Sequence, residues 1–262
     1  MSTFAMHVAK TGLNSQQIKM QVIANNLANV NTTGFKADRA NFESLLYQIL
    51  RGAGDNTSEN TSLTSGLAVG TGTRLLNTSK LHTQGSLINT GNSLDISIEG
   101  DGFFQVLLPD GRVGYTRSGA FSRNADGLVV TASGYPLQPE ITIPPEALSI
   151  NIASDGIVTV QVPGAVDAEE VGQITLADFP NRQGLQPNGE SMLMESPASG
   201  APIVAAPFEE GMGRTVQGSL ESSNVNVVQE LVDMIETQRA YEVSSKTITS
   251  VDEMMRYLAQ NV

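Results

Sequence analysis

The chain has no cysteine and no tryptophan, only two histidines, and just 5% aromatic residues. Without thiols there can be no disulfides, thiolate-held metals or cysteine nucleophiles. His7 and His82 stand alone, with no partner at metal-ligand spacing, so neither a metal site nor a cofactor is expected. Bases are scarce as well: 15 Lys and Arg against 27 Asp and Glu give a formal net charge of −12. Such a chain has no evident means of neutralising phosphate backbones, and nucleic acid is not an expected partner. No stretch approaches the ~20 apolar residues that cross a bilayer. The first ten residues lack the basic leader and apolar run of a secretory signal. The expectation is a soluble protein, not itself membrane-embedded, that would reach the outside only by a route that cleaves no signal peptide.

Enzymatic motifs are equally thin. Gly70-Thr-Gly72 and Gly211-Met-Gly213 lack the third glycine and the strand-to-helix setting of a dinucleotide site. Glu99 and Asp101 flank Gly100 and resemble a carboxylate pair, but a tight turn explains them without chemistry. No catalytic residue, cofactor or small-molecule substrate is expected.

What the chain does have is pattern. Its 262 residues suffice for one or two domains. Near the start, apolar or small residues recur in steps of three and four at Met6, Ala9, Leu13, Met20, Ile23, Leu27 and Val30, broken only at Gln16. Near the end, Met234, Tyr241, Ile248 and Met255 are spaced by seven, and Leu231, Ile235, Val251 and Leu258 widen the stripe. Asn226, three residues before Gln229, is an N-cap signal, Glu230 suits the first turn, and Asn31 to Gly34 reads as a helix stop. Helices of about 27 and about 36 residues would be ~40 and ~54 Å long. Each has one apolar stripe and is marginal alone in water, so the stripes need partners. Residues 1–31 carry two lysines and no acid, whereas residues 224–262 carry six acids and three bases, which suits the two helices to pair. Two readings stay open. Paired ends could simply close a globular domain, or they could also pack on copies of themselves.

The middle is punctuated by turns. Asp110-Gly111, Asp126-Gly127 and Asp155-Gly156 separate short β-branched runs, the mark of hairpins. Strands are predicted at Asp95–Ile98, Phe103–Leu108, Leu128–Thr131, Ser149–Ile152, Ile157–Val162 and Val171–Ala177, with Val158, Val160 and Val162 on one face. Arg51–Thr73, rich in Gly, Ser, Thr and Asn, reads either as a flexible linker or as an arm ordered by other subunits. The fold class is α+β: terminal helices pairing as a coiled coil (1–31 plus 223–262), an extended connector (32–80 plus 203–222) and a central antiparallel all-β domain (81–202).

Residues 23–36, Ile-Ala-Asn-Asn-Leu-Ala-Asn-Val-Asn-Thr-Thr-Gly-Phe-Lys, resemble the N-terminal signature of the bacterial flagellar axial proteins, the rod, hook and hook-associated subunits. Gly100–Val106, Tyr115–Ser122 and Ser133–Leu137 resemble the family's β-domain motifs, and Ser223–Val228 with Gln238–Glu242 its C-terminal signature. The resemblance covers essentially the whole chain. It implies a structural homo-oligomer, a helical polymer exported by the flagellum's own type III apparatus into a rod that spans the periplasm and reaches the outer membrane. Its implied partners are proximal rod proteins, the hook protein and the surrounding P and L ring proteins. Leu13, Met20, Ile23, Leu27, Val30, Leu231, Met234, Ile235, Tyr241, Ile248, Met255 and Leu258 become the candidate subunit seam. Asn25, Asn26, Asn29, Gly34 and Phe35 become the family-motif junction, with Phe35 and Phe42 as anchors of the arm. The segment from Tyr47 through Arg51 and Gly54 to Gly66 is of the kind implicated in keeping the rod straight. Length and this segment resemble most a subunit of the distal part of the rod, since the hook protein's larger outer domains have no room here; proximal rod and hook-type subunits are the rivals. A reading of another class is a secreted β-domain protein that binds or cleaves cell wall.

Overall fold

A computed structural model describes residues 2–52, 56–58, 61–62, 64–164 and 168–260. Gly54 and the Leu258 side chain lie outside what it describes. The architecture is α+β, with one helix at each end and β structure between. The chain divides into two compact units.

The first unit takes both ends of the chain, residues 1–28 and 226–262, together with residues 38–79. Helix α1 (Ser2–Ala28) and helix α2 (Val227–Gln260) pack along one another. The start of α2 follows its sequence signal: Asn226 Oδ1 accepts the N–H groups of Val228 (3.1 Å) and Gln229 (3.3 Å), satisfying donors a helix start leaves free. Helix α1 ends three residues short of the expected boundary. Thr32 N–H bonds to Asn29 O in a turn, so Val30 lies beyond the helix and cannot extend its stripe. The segment read as a linker or arm pairs with itself. Strands β1 (Asp38–Ser44), β2 (Tyr47–Arg51), β3 (Asn56–Ser58), β4 (Thr61–Ser62), β5 (Leu67–Gly70) and β6 (Thr73–Lys80) nest as β1 with β6, β2 with β5 and β3 with β4, giving a two-stranded ribbon. Its polar composition does not prevent this, because ladder hydrogen bonds and side-chain pairs such as Asn41 with Asn77 hold it without a core.

The second unit spans residues 29–37 and 80–225. Its strands, in order, are β7 (Leu87–Asn89), β8 (Ile96–Glu99), β9 (Phe103–Leu107), β10 (Val113–Thr116), β11 (Phe121–Arg123), β12 (Val129–Thr131), β13 (Leu137–Gln138), β14 (Ser149–Ile152) and β15 (Ile157–Gln161). There follow β16 (Glu169–Gln173), β17 (Leu176–Asp178), β18 (Gln186–Gly189), β19 (Met192–Met194), β20 (Ile203–Ala205), β21 (Arg214–Gln217) and β22 (Ser219–Glu221). The largest sheet runs β18-β19-β10-β9-β17-β20, with β13 also on β9. All three Asp-Gly turns close antiparallel hairpins: β9–β10, β11–β12 and β14–β15.

Phe103 and Phe104 enter different apolar clusters, since successive residues of a strand face opposite ways. Phe104, with Ile96, Leu137, Ile141, Ile143, Val158, Val160 and Leu176, forms the main core. Burying a side chain of this size contributes roughly 1.5–3 kcal/mol. Val171–Ala177, read as one strand, is two. Ile174 N–H turns aside to Gly156 O, so β16 joins β15 while β17 joins β9. Residues 203–222, read as connector, instead carry β20, β21 and β22; β21 pairs β8 and β22 pairs β7.

Candidate assembly site

The helical seam is partly sheltered and partly open. Ile23 is buried on α1, and Leu13, Met20 and Leu27 are half-buried. On α2 Met234, Thr237, Ile248, Val251 and Met255 are among the sheltered residues, so three of the four residues spaced by seven lie on the covered side and Tyr241 does not. Thr237, absent from the apolar pattern, is only 1% exposed, its hydroxyl donating to Asp233 O at 2.6 Å. Tyr241, expected in the stripe, is exposed. Leu231 and Ile235, expected in the same stripe, are 43% and 52% exposed, and with Val228 and Val232 they form an open apolar patch on the first turns of α2. A helix of 3.6 residues per turn explains the split. Residues 231 and 235 lie one position past 230 and 234, about 100° around the axis from the covered side.

The asparagines of the N-terminal motif do different work. Asn26 is 2% exposed: its Nδ2 donates to Asp38 O at 2.9 Å and to Glu230 Oε1 at 3.0 Å, and its Oδ1 accepts Asp38 N–H at 2.8 Å. One amide thereby ties the end of α1 to the first strand of the ribbon and to the first turn of α2. Burial raises the Glu230 carboxyl above its ordinary value, against the opposing effect of the Asn26 bond. Asn25 reaches the Asp38 carboxylate at 3.4 Å, and Asn29 Oδ1 accepts the Thr32 hydroxyl at 3.2 Å.

Gly34, Phe35 and Lys36 belong to the second unit. Gly34 has φ +68°, and a Cβ there would stand 2.4 Å from Ser118 N, so close backbone approach and left-handed geometry both demand glycine. Phe35 is buried with Lys80 Nζ 5.2 Å from its ring centroid, whereas Phe42, in the first unit, is 37% exposed. Lys36 Nζ sits 2.6 Å from Glu221 Oε1 and 2.8 Å from Thr83 O. Arg117 Nε stands 3.5 Å from Glu221 Oε2, and its Nη2 donates to Gly100 O at 2.6 Å. All three side chains of this ion cluster are buried. Burial lowers the Lys36 ammonium and the Arg117 guanidinium, and in each case Glu221 pulls the other way. Sequence reading passed over this triad, whose members are 81 and 104 positions apart. Its one signal was that Lys36 and Arg117 fall inside the quoted motifs.

On the ribbon, Tyr47, Arg51 and Gly66 are exposed, as are the neighbouring Leu46, Ile49 and Leu50. The suspected carboxylates are engaged in ion pairs: Glu99 with Arg214 at 2.6 Å, and Asp101 with Arg182 at 2.6 Å, which holds the Asp101 carboxyl below its usual range. Among the described residues no group of three or more His, Asp or Glu is placed to hold a metal ion, and no helix is long and apolar enough to cross a membrane.

Three family models match, and all describe parts of the bacterial flagellar axis. They are flagella basal body rod protein over residues 6–36, the flagellar hook protein FlgE/F/G D1 domain over 97–160, and the flagellar basal body rod FlgEFG protein C-terminal region over 216–261. The chain is 51% identical to flagellar basal-body rod protein FlgG of Buchnera aphidicola subsp. Schizaphis graminum, over 98% of each chain. It is 45% identical to the protein of that name from Agrobacterium fabrum, over 98% of this chain and 99% of the relative, and 36% identical to that of Bacillus subtilis, over 95% of each. The chain belongs to the flagellar basal-body rod protein family. Within it, this is a structural subunit of the distal rod, not an enzyme.

Proposed function

We propose that α1 and α2 of each subunit pair as a coiled coil and that copies wind about a common axis, the paired helices lining an inner tube and the β unit forming an outer wall. The resulting straight, hollow shaft carries motor torque to the hook through many subunit contacts at once. The observation that carries this reading is the exposed patch of Val228, Leu231, Val232 and Ile235, which the chain's own helices leave uncovered. Contiguous exposed apolar surface of this kind is typical of contact sites between proteins. Covering the two half-exposed side chains Leu231 and Ile235 is worth on the order of 1 kcal/mol each, repeated at every subunit.

In this reading Leu13, Met20, Ile23, Leu27, Met234, Ile248 and Met255 form the seam within a subunit, and Leu231 and Ile235 the seam between subunits. The ribbon, with Tyr47, Arg51 and Gly66 exposed, reaches neighbouring copies and sets curvature. Proximal rod proteins and the hook protein abut the two ends of the shaft, and the P and L ring proteins surround it where it spans the periplasm to the outer membrane. Export is through the type III apparatus, without a cleaved signal peptide. The test is Ile235→Asp and Leu231→Asp, each placing a charge where a neighbour docks. Basal bodies from these strains should end before the distal rod, while the secreted subunit keeps its β unit folded. Normal rods and swimming in both variants overturn the reading.

A further inference from the structure

Asn188-Gly189 is the single Asn-Gly pair in the chain. It lies in β18, at one edge of the largest sheet, and all four residues of that strand are exposed. Pairing with β19 sets Pro187 opposite Leu193 and Gly189 opposite Met192, so Asn188 falls at a bulge with no residue across from it. A turn follows at once, with Gly189, Glu190 and Ser191 at φ +87°, +51° and +58°. Among the described residues no hydrogen bond or ion pair engages the Asn188 amide, and a Cβ at Gly189 would meet nothing within 4 Å, so the approach to this peptide is open. Other asparagines that precede a small residue are restrained. Asn92, before Ser93, donates to Asp95 Oδ1 at 2.9 Å and accepts Leu94 N–H at 3.4 Å. Asn14, before Ser15, sits inside α1, whose ladder engages the next peptide nitrogen.

We propose that Asn188 is a site of spontaneous modification in the folded protein. Gly189 N attacks Asn188 Cγ and closes a five-membered succinimide. The Cγ–Nδ2 bond breaks, and the amide nitrogen leaves as ammonia with the proton lost from Gly189 N. Water, the sole co-reactant, then opens the ring at either carbonyl, giving aspartate or isoaspartate at position 188. Ring closure is intramolecular, so its barrier is set by orientation rather than encounter. Glycine as the next residue supplies an unhindered nitrogen and wide backbone freedom. Each event adds one negative charge to a chain whose net charge is −12, and the isoaspartate adds one carbon to the backbone of an edge strand. A subunit thereby acquires a more acidic sheet edge with age.

The test incubates the purified full chain at mildly alkaline pH and body temperature, samples it over weeks and maps its tryptic peptides by mass spectrometry. Cleavage after Arg182 and Arg214 releases residues 183–214, in which Asn188 is the one asparagine. Position 188 should convert at least about tenfold faster than position 92, and aspartyl and isoaspartyl products should separate as two chromatographic peaks. In heavy-oxygen water both products should carry the label. Gly189→Ala should slow conversion about tenfold or more by hindering the attacking nitrogen. Should that variant fail to fold at its positive φ, Gly189→Asn tolerates the conformation, carries a Cβ and should slow the reaction likewise. An intact amide at position 188 after the incubation, or conversion no faster than at position 92, overturns the proposal. Conversion to aspartate alone, at a rate the Gly189 variants leave unchanged, means direct hydrolysis and overturns it too.

Discussion

Asn26 and Asp38 hold each other by a reciprocal pair of hydrogen bonds, 2.9 Å from the amide to Asp38 O and 2.8 Å from Asp38 N–H to the amide oxygen. A side-chain amide there imitates a strand partner, so the ribbon starts in register with the end of α1. The same amide bonds Glu230, and one residue thus fixes three elements of the helical unit.

Asn26→Ala should therefore cost about 2–4 kcal/mol, since it removes the amide's bonds to a half-buried N–H, a carbonyl and a half-buried carboxylate. Asn26→Asp should be worse at neutral pH, because it sets a carboxylate against Glu230, and should recover partly on acidification as the raised Glu230 carboxyl protonates first. Thermal unfolding of the helices followed at 222 nm, across pH, checks both.

The Lys36–Glu221–Arg117 cluster should respond unequally to truncation. Glu221→Leu strands two buried cations and the Gly85 N–H that its Oε1 accepts at 2.9 Å, whereas Lys36→Met leaves Glu221 still facing Arg117. Breaking a buried pair costs about 3–5 kcal/mol. Glu221→Leu is expected at the upper end of that range and Lys36→Met at the lower. Denaturant unfolding of the β unit, with the double variant included, measures the coupling.

His82 gives the β unit an acid-sensitive term. Its ring lies edge-on to Phe103 with centroids 5.7 Å apart, and burial, reinforced by Lys36, lowers its pKa to about 4. Unfolded, it titrates near 6.5. The unfolded chain thus takes up the proton first, so stability is full above about pH 6.5, declines as pH falls, and levels off below about pH 4. Replacing His82 with Leu should remove that part of the slope while the carboxylates titrate as before. The difference between wild-type and variant urea midpoints between pH 4.5 and 7 isolates it.

Gly34→Ala should destabilise the β unit by more than Gly134→Ala. Both have positive φ, but a Cβ at Gly134 meets nothing within 4 Å while one at Gly34 strikes the Ser118 backbone. Conformational strain alone costs about 1–2 kcal/mol. The excess at Gly34 reports the close approach, and equal losses at the two sites would contradict it. Unfolding midpoints of the two variants give the comparison.

Legibility in the sequence followed the range of the interactions. The Asn226 cap and the Asp-Gly hairpins are local, decided by residues within four positions of each other, and they stand where the pattern put them. The helix pair was readable from its periods, but which of Met234 and Ile235 is sheltered was not, since a stripe drawn from both treats neighbours 100° apart as equivalent. Strands β21 and β22 were missed because their partners β8 and β7 lie more than 100 residues away, and the intervening Pro and Gly read as loop. The ribbon was missed for another reason. Its composition predicts too little buried surface for order, and nested antiparallel pairing supplies backbone bonds that composition does not reveal. The buried triad needed three distant segments and could not be seen at all from spacing.

Assembly through the helices requires that a neighbouring copy cover the open face of α2. A helical reconstruction of assembled rods from electron cryomicroscopy, at a resolution that shows side chains, decides this directly. Leu231 and Ile235 should be seen packed against a helix of an adjacent copy. Density that leaves both facing solvent or an empty channel would contradict it.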